Sequence, residues 1–266
     1  MSHPLALLRL GVTLLILMQC GLTGYGQRTA VLDRQELIAQ ARKAYYNGKS
    51  LGLAEFSCEV KPDWTPVLAK LPSNPEAQKV IDAQHFRIQM SERDEFKLTT
   101  RTEFFGQKYD PEIAKAYSGM KELTTEFFAM WTTFMLRNPL PYLDGPCQVN
   151  TYEGGYRISC QDPSTAVVVL LREDFAITEI KANTPKISAV IRPQFQKTTG
   201  GFILVGYDSD YRPTSGVGKT KRHVEIRYES RLDFQLPSGM KMDGQIDDQA
   251  VKLDVAFVDY NVTKRK

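Results

Sequence analysis

Most of the second half of the chain alternates apolar and polar residues with a period of two, the pattern of strands that bury one face. The alternating segments are TAVVVLL, AITEI, ISAVI, FILVGY, HVEIRY, RLDFQL, GMKMDGQI and VKLDVAFVDY. The turn-forming runs Asn183-Thr184-Pro185, Thr199-Gly200-Gly201, Pro237-Ser238-Gly239 and Asp247-Asp248 separate several of them. Short turns between consecutive strands favour one antiparallel sheet, and a sheet of about eleven strands is expected to curl toward a barrel.

The segment CQVNTYEGGYRISC, residues 147–160, predicts a β-hairpin with a tight turn at Glu153-Gly154. This register sets Cys147 directly against Cys160. Alternation from the turn makes this a non-hydrogen-bonded pair, whose Cα atoms should lie about 4.5 Å apart, within reach of a disulfide. We therefore predict a Cys147–Cys160 disulfide and expect Cys58 to be free and buried.

The first half adds helices. Residues 32–50 predict an amphipathic helix with Asp33 as its cap and Asn47-Gly48 as its end. The segment LGLAEFSCEV predicts a strand, and HFRIQM with EFKLTT predicts a hairpin. The fold class is α+β, mostly antiparallel β: a curled or incomplete β-barrel with an N-terminal helix and a long apolar helix covering the concave face.

That long helix is predicted from the cap at Asp110 to about Arg137, and its second half is apolar around almost its whole circumference. Such a helix needs burial on all sides, or burial on one side and an apolar ligand on another. The predicted lining of an apolar cavity is Phe127, Phe128, Trp131, Phe134 and Met135. The alternative is that the same side chains fill an ordinary core.

Residues 1–26 have the pattern of an export signal. Arg9 precedes a short apolar run, and the small residues before Gln27 suit a cleavage site. Export to the bacterial periplasm as one domain, residues 27–266, is the expectation. The alternative is a lipid anchor at Cys20. The residues before it, Leu17-Met18-Gln19, only loosely resemble the lipobox that precedes the anchored cysteine of bacterial lipoproteins.

Composition and motifs exclude several function classes. A formal charge of +3 in 266 residues gives no strong basic field for nucleic acid. Gly218-Lys219-Thr220 matches the end of a phosphate-binding loop, but Pro213 replaces the first glycine and two strands flank the segment. No nucleotide, cofactor or metal is therefore predicted.

Catalytic candidates are few, and we assign no catalytic residues. Asp208 and Asp210 share a strand face, which keeps open a metal-dependent hydrolase, although a solvated strand end suits them as well. Cys58 and His223 lack the third residue that would orient a nucleophile–base pair.

The order of elements resembles the periplasmic lipoprotein-sorting proteins of the LolA/LolB type. The segments that carry the likeness are DFAITEI, KTTGGFILVGYDSDY, LDFQLPSGMKMDGQ and VKLDVAFVDYNV. The resemblance implies an incomplete β-barrel, capped by helices, around an apolar cavity for acyl chains. It covers most of the chain after the signal, but the cysteine hairpin and the aromatic helix have no counterpart among the family's hallmarks.

The predicted function is an exported envelope protein that binds lipid or lipoprotein acyl chains without covalent chemistry. Burial of apolar area alone, worth roughly 25 cal/mol per Å², is enough to hold one or two chains. The alternative is a ligand-free envelope protein that has a structural role or docks on a protein partner.

Overall fold

The computed structural model describes residues 31–68, 86–93, 95–100, 111–140, 147–161, 164–216 and 218–265. The predicted signal, Cys20 and the predicted helix cap Asp110 lie outside these ranges. Within them the chain forms twelve strands, two helices and one isolated helical turn at Thr65–Leu68.

The two helices are α1, Val31–Lys43, and α2, Pro111–Met135. The strands are β1 Leu53–Pro62, β2 Phe86–Met90, β3 Phe96–Thr100, β4 Cys147–Tyr152, β5 Gly155–Gln161, β6 Ala166–Arg172, β7 Ile177–Asn183, β8 Ile187–Thr198, β9 Gly201–Pro213, β10 Thr220–Arg231, β11 Phe234–Ile246 and β12 Gln249–Lys264.

All twelve strands belong to one antiparallel sheet in the order β3-β2-β1-β12-β11-β10-β9-β8-β7-β6-β5-β4. Strands β4 to β11 each pair with the next strand along the chain, and β12 then pairs with β1, which pairs with β2. The sheet is open, because β3 and β4 end the order without pairing to each other. The sequence prediction of a mostly antiparallel α+β fold is confirmed.

The β4–β5 hairpin has the register that its sequence predicts. Cys147 lies opposite Cys160, and Tyr152 lies opposite Gly155 next to the turn. The two cysteines form a disulfide with their Cα atoms 4.1 Å apart. Cys58 is free and buried, so both cysteine predictions are confirmed.

Two boundary predictions were wrong. The turn predicted at Pro237-Ser238-Gly239 lies inside β11, where a register shift sets Gly239 against Arg227 and Pro237 against Tyr228. The proline is therefore accommodated at a bulge, as expected for a proline within a sheet.

The bounds of helix α1 also differ from the prediction: Asp33, the predicted cap, lies inside the helix, which ends at Lys43 and not at Asn47. Tyr45 leaves the helix because it forms a parallel bridge with Phe202. Two backbone hydrogen bonds fix this bridge: Phe202 donates to Ala44 at 2.8 Å, and Tyr46 donates to Phe202 at 3.1 Å.

One face of the sheet packs on α2, and alternate residues of the strands are buried on it. In β9 the buried residues include Tyr207, Ser209 and Tyr211, while Asp208 and Asp210 between them lie on the other face. Among the described residues, no helix combines the length and hydropathy that crossing a membrane requires.

Candidate functional site

The five residues predicted to line a cavity lie together between α2 and the sheet, and each is at most 2% exposed. Phe127 stacks on Phe257 of β12 with ring centroids 5.3 Å apart. Phe128 contacts the same ring edge-on at 5.0 Å and contacts Phe96 of β3 at 5.6 Å. Phe127 and Phe128 therefore pack against two different regions of the sheet, β12 and β3.

The remaining three residues contact other strands. Trp131 meets Phe56 of β1 edge-on at 5.7 Å, and Phe134 meets Phe195 of β8 at 5.7 Å. The sulfur of Met135 accepts a hydrogen bond from the backbone N–H of Leu204, 3.3 Å away. We call these five residues the aromatic group; whether they face a ligand stays a prediction.

A buried ion pair joins α2 to the same face of the sheet, and the sequence analysis did not single it out. The Oε2 atom of Glu126 lies 2.6 Å from Nη1 of Arg222 on β10, with side chains only 8% and 6% exposed. Burial opposes the charge of Arg222, but the nearby Glu126 carboxylate outweighs it and raises the pKa of the guanidinium. The only sequence signal is one acid inside the apolar run TTEFFAMW.

Two hydroxyl-bearing residues of β9, Ser209 and Tyr211, lie beside Arg222 of this pair. Ser209 is the direct cross-strand neighbour of Arg222, and the guanidinium carbon lies 5.8 Å from the ring centre of Tyr211. Burial raises the pKa of the Tyr207 and Tyr211 phenols, and the Glu126 carboxylate adds to this effect. Both phenols therefore stay protonated and can donate hydrogen bonds.

The two carboxylates considered for a hydrolase lie on the opposite, outer face of the sheet. Asp208 is 2.8 Å from Nδ1 of His223, and Asp210 accepts bidentate hydrogen bonds from Arg212. The hydrogen bonds from Arg212 hold the pKa of Asp210 below its ordinary value. Each carboxylate is thus engaged by a neighbouring side chain, as expected for a solvated strand surface.

Cys58 and His223 do not form a nucleophile–base pair. Strands β12 and β11 separate β1, which carries Cys58, from β10, which carries His223. Burial raises the pKa of the Cys58 thiol to about 12, which disfavours the reactive thiolate.

The segment that resembles a phosphate-binding loop connects β9 to β10, as predicted from its flanking strands. Its amide groups bind a carboxylate of the protein: Asp247 accepts hydrogen bonds from the backbone N–H of Gly218 at 2.7 Å and of Lys219 at 2.9 Å. These two backbone donors are therefore already used by the protein itself.

Within the described residues, no three histidine, cysteine, aspartate or glutamate side chains are grouped so that they could hold a metal ion. Comparisons with protein-family models, with curated proteins and with solved structures return no match for this chain. The site is therefore interpreted from its own geometry.

Proposed function

We propose that this is an exported envelope protein that binds acyl chains of lipids or lipoproteins non-covalently between α2 and the concave face of the sheet. The proposal includes the likeness to the LolA/LolB lipoprotein-sorting proteins and the incomplete barrel that it implies. Acyl chains would be held by the aromatic group, with no chemistry performed on them.

The observation that carries the proposal is the reach of three consecutive residues of α2. Glu126 contacts β10, Phe127 contacts β12, and Phe128 contacts both β12 and β3. Five strand spacings separate β3 from β10 in the sheet order. These would span about 24 Å in a flat sheet, whereas a helix with its side chains is about 10–12 Å across. The contacts therefore support a sheet that curves around α2.

The chemistry of the interface supports an apolar ligand. Four of the five residues of the aromatic group contact rings on the strands, and the sulfur of Met135 accepts a hydrogen bond from the backbone of Leu204. Phenylalanine and methionine suit a surface that adapts to flexible apolar chains. An acyl chain between α2 and the sheet would replace some ring contacts and remain shielded from water.

A second candidate is a ligand-free envelope component in which α2 is ordinary core. Its supporting observation is the dense packing of the aromatic group, with Phe128 and Trp131 fully buried and both in contact with Phe56. In that case, the protein would act through a docking partner and would bind no lipid.

Native mass spectrometry before and after solvent extraction separates the two candidates. The full chain is expressed with its own N-terminal segment and purified without detergent. A bound mass that extraction removes, and that fragments as lipid, is expected if acyl chains are bound. A bare polypeptide mass contradicts the proposal and favours the ligand-free component.

Variants then locate the binding site. Trp131→Ala and Phe134→Ala should each lower lipid retention several-fold in protein that remains folded, because they remove ring contacts from the proposed lining. Tyr152→Ala is the matched control, since Tyr152 is 43% exposed at the far edge of the sheet. Unchanged retention in both interior variants would rule out this lining.

A further inference from the structure

The Glu126–Arg222 pair differs in its burial from the other ion pairs formed by the described side chains. It is the pair in which both side chains are less than a tenth exposed; the others each have at least one partner more open to water. A buried ion pair gains little over well-packed apolar residues, because both charges lose their hydration. Its position under α2 therefore calls for a reason other than stability.

Several hydrogen-bonding groups around Arg222 are unused. The Oγ atom of Ser209, the hydroxyl of Tyr211 and Nε of Arg222 itself are buried and find no hydrogen-bond partner among the described residues. Their residues are 5%, 6% and 7% exposed. Buried polar groups are nearly always partnered, so the unused Nε donor of Arg222 and the two unused hydroxyls near it indicate a missing partner.

An anion with several oxygens would satisfy all three groups at once. Nε of a guanidinium can only donate, and hydroxyl groups readily donate to an oxyanion. The second guanidinium edge, with Nε, is shaped for bidentate binding of a carboxylate or a phosphate. The Oε2 atom of Glu126 lies within ion-pair distance of Nη1, but it is itself buried without a hydrogen-bond partner, as is Nε of Arg222.

The location of these donors fits the head of an amphiphile. Glu126 directly precedes Phe127 and Phe128 of the aromatic group. Gly244 is the neighbour of Arg222 on β11, where an added Cβ would lie 3.2 Å from Cα and Cγ of Arg222. Gly244 therefore leaves no room for a side chain beside Arg222.

We propose that Arg222, Ser209 and Tyr211 form a binding site for the carboxylate or phosphate head of an acidic amphiphile, and that Glu126 occupies part of this site in the structure. The inference rests on the proposed function, because the tail of that ligand would lie along the aromatic group. Binding would exchange one carboxylate, that of Glu126, for the anionic head of the ligand.

The test compares probes that share a tail and differ in the head. Isothermal titration calorimetry on delipidated full-length protein measures dodecanoate, dodecyl phosphate and dodecanol, together with acetate and inorganic phosphate as tail-free anions. Wild-type protein should prefer the two acidic probes to dodecanol. In Glu126→Gln the acidic probes should bind at least about tenfold more tightly, because the internal competitor is neutral, while dodecanol should change by less than about twofold.

A neutral double variant keeps the test independent of folding. Arg222→Met alone would leave Glu126 charged and buried without its partner, so Arg222→Met is combined with Glu126→Gln. The double variant should lose the preference for acidic heads and should bind dodecanol with the same affinity as the wild type. The matched control is Arg227→Gln on the same strand, whose ion pair with Asp254 is half exposed; it should bind as wild type does.

Each other outcome has one meaning. Equal affinity for acidic and neutral probes in every variant overturns the head-group site but leaves acyl-chain binding intact. If none of the three probes with a dodecyl tail binds, the proposed function itself is overturned. Acetate or phosphate bound as tightly as the tailed acids overturns the amphiphile assignment in favour of a small free anion.

Discussion

At the scale of single residues, the structure depends on a few positions where backbone segments meet without space for a side chain. At Gly201 the φ angle is +107°, and an added Cβ would lie 2.7 Å from the carbonyl carbon of Tyr45 and from the backbone N of Tyr46. This glycine allows the end of α1 to pair with β9. Its role depends on a contact between segments about 155 residues apart, which the local sequence does not show.

We expect Gly201→Ala to lower the free energy of unfolding by at least about 2 kcal/mol, because it combines positive φ with a collision against backbone. Urea denaturation measures this change. Gly216→Ala is the matched control: its φ is +77° and no atom lies within 4 Å of an added Cβ. The control should cost about 1 kcal/mol; equal losses in the two variants would contradict the close contact at Gly201.

The Cys58 thiol gives a second residue-scale prediction. Because burial raises its pKa to about 12, the thiol should be almost fully protonated at pH 8 and should react poorly with iodoacetamide. Peptide mapping after alkylation should find Cys58 unmodified in native protein and modified in guanidinium chloride. Rapid modification of the native protein at pH 8 would contradict this burial.

At the scale of elements, the β4–β5 hairpin is the part of the fold whose sequence is most explicit. Its turn, its alternation and its two cysteines all indicate one register, which the structure confirms. Strand β4 is also the last strand of the sheet, and within the described part of the chain it pairs only with β5. The disulfide therefore secures a strand that has half the usual sheet contacts.

We expect Cys147→Ser combined with Cys160→Ser to lower the free energy of unfolding by about 3 kcal/mol, the value typical of a loop of this size. Hydrogen exchange should show β4 losing protection first, while β9 to β11 stay protected. A uniform loss of protection from hydrogen exchange across the whole sheet would show that the disulfide stabilises more than its own edge of the sheet.

At the scale of the whole molecule, the outer face of the sheet carries a row of alternating charges that runs across six strands. From β7 to β12 the row consists of Glu179, Arg192, Asp208, His223, Asp243 and Lys252. Opposite charges that face each other across strands stabilise a sheet modestly when they are exposed. Such a row keeps this face hydrated while the other face packs on α2.

His223 makes the row sensitive to pH. The hydrogen bond to Asp208 raises the pKa of His223, and Glu225 acts in the same direction; Asp243 is its partner in the pairing with β11. A raised pKa in the folded state stabilises the protein below the unfolded value near 6.5, and this contribution is lost as pH rises through the folded value.

His223→Gln should therefore destabilise the protein more at pH 5.5 than at pH 8.5, measured by urea unfolding at both values. In an Asp208→Asn background, the effect of His223→Gln should vary much less with pH, because the main cause of the raised pKa is gone. A pH-independent effect of His223→Gln in the wild-type background would contradict the pairing.

The sequence by itself determined the features whose cause lies within about fifteen residues. Period-two alternation located the strands, the Glu153-Gly154 turn set the disulfide register, and alternation on both sides of Gly218-Lys219-Thr220 placed that segment between two strands. Each of these follows from backbone geometry and local turn chemistry.

Only the tertiary structure decided what depends on distant partners. The pairing of β1 with β12, the early end of α1 and the passage of β11 through Pro237 each reflect a neighbour far away in the chain. The same holds for Glu126 and Arg222, which no local sequence pattern brings together. Burial turned them into a pair because the free energy of a charge depends on its surroundings, and those form only when the sheet and α2 come together.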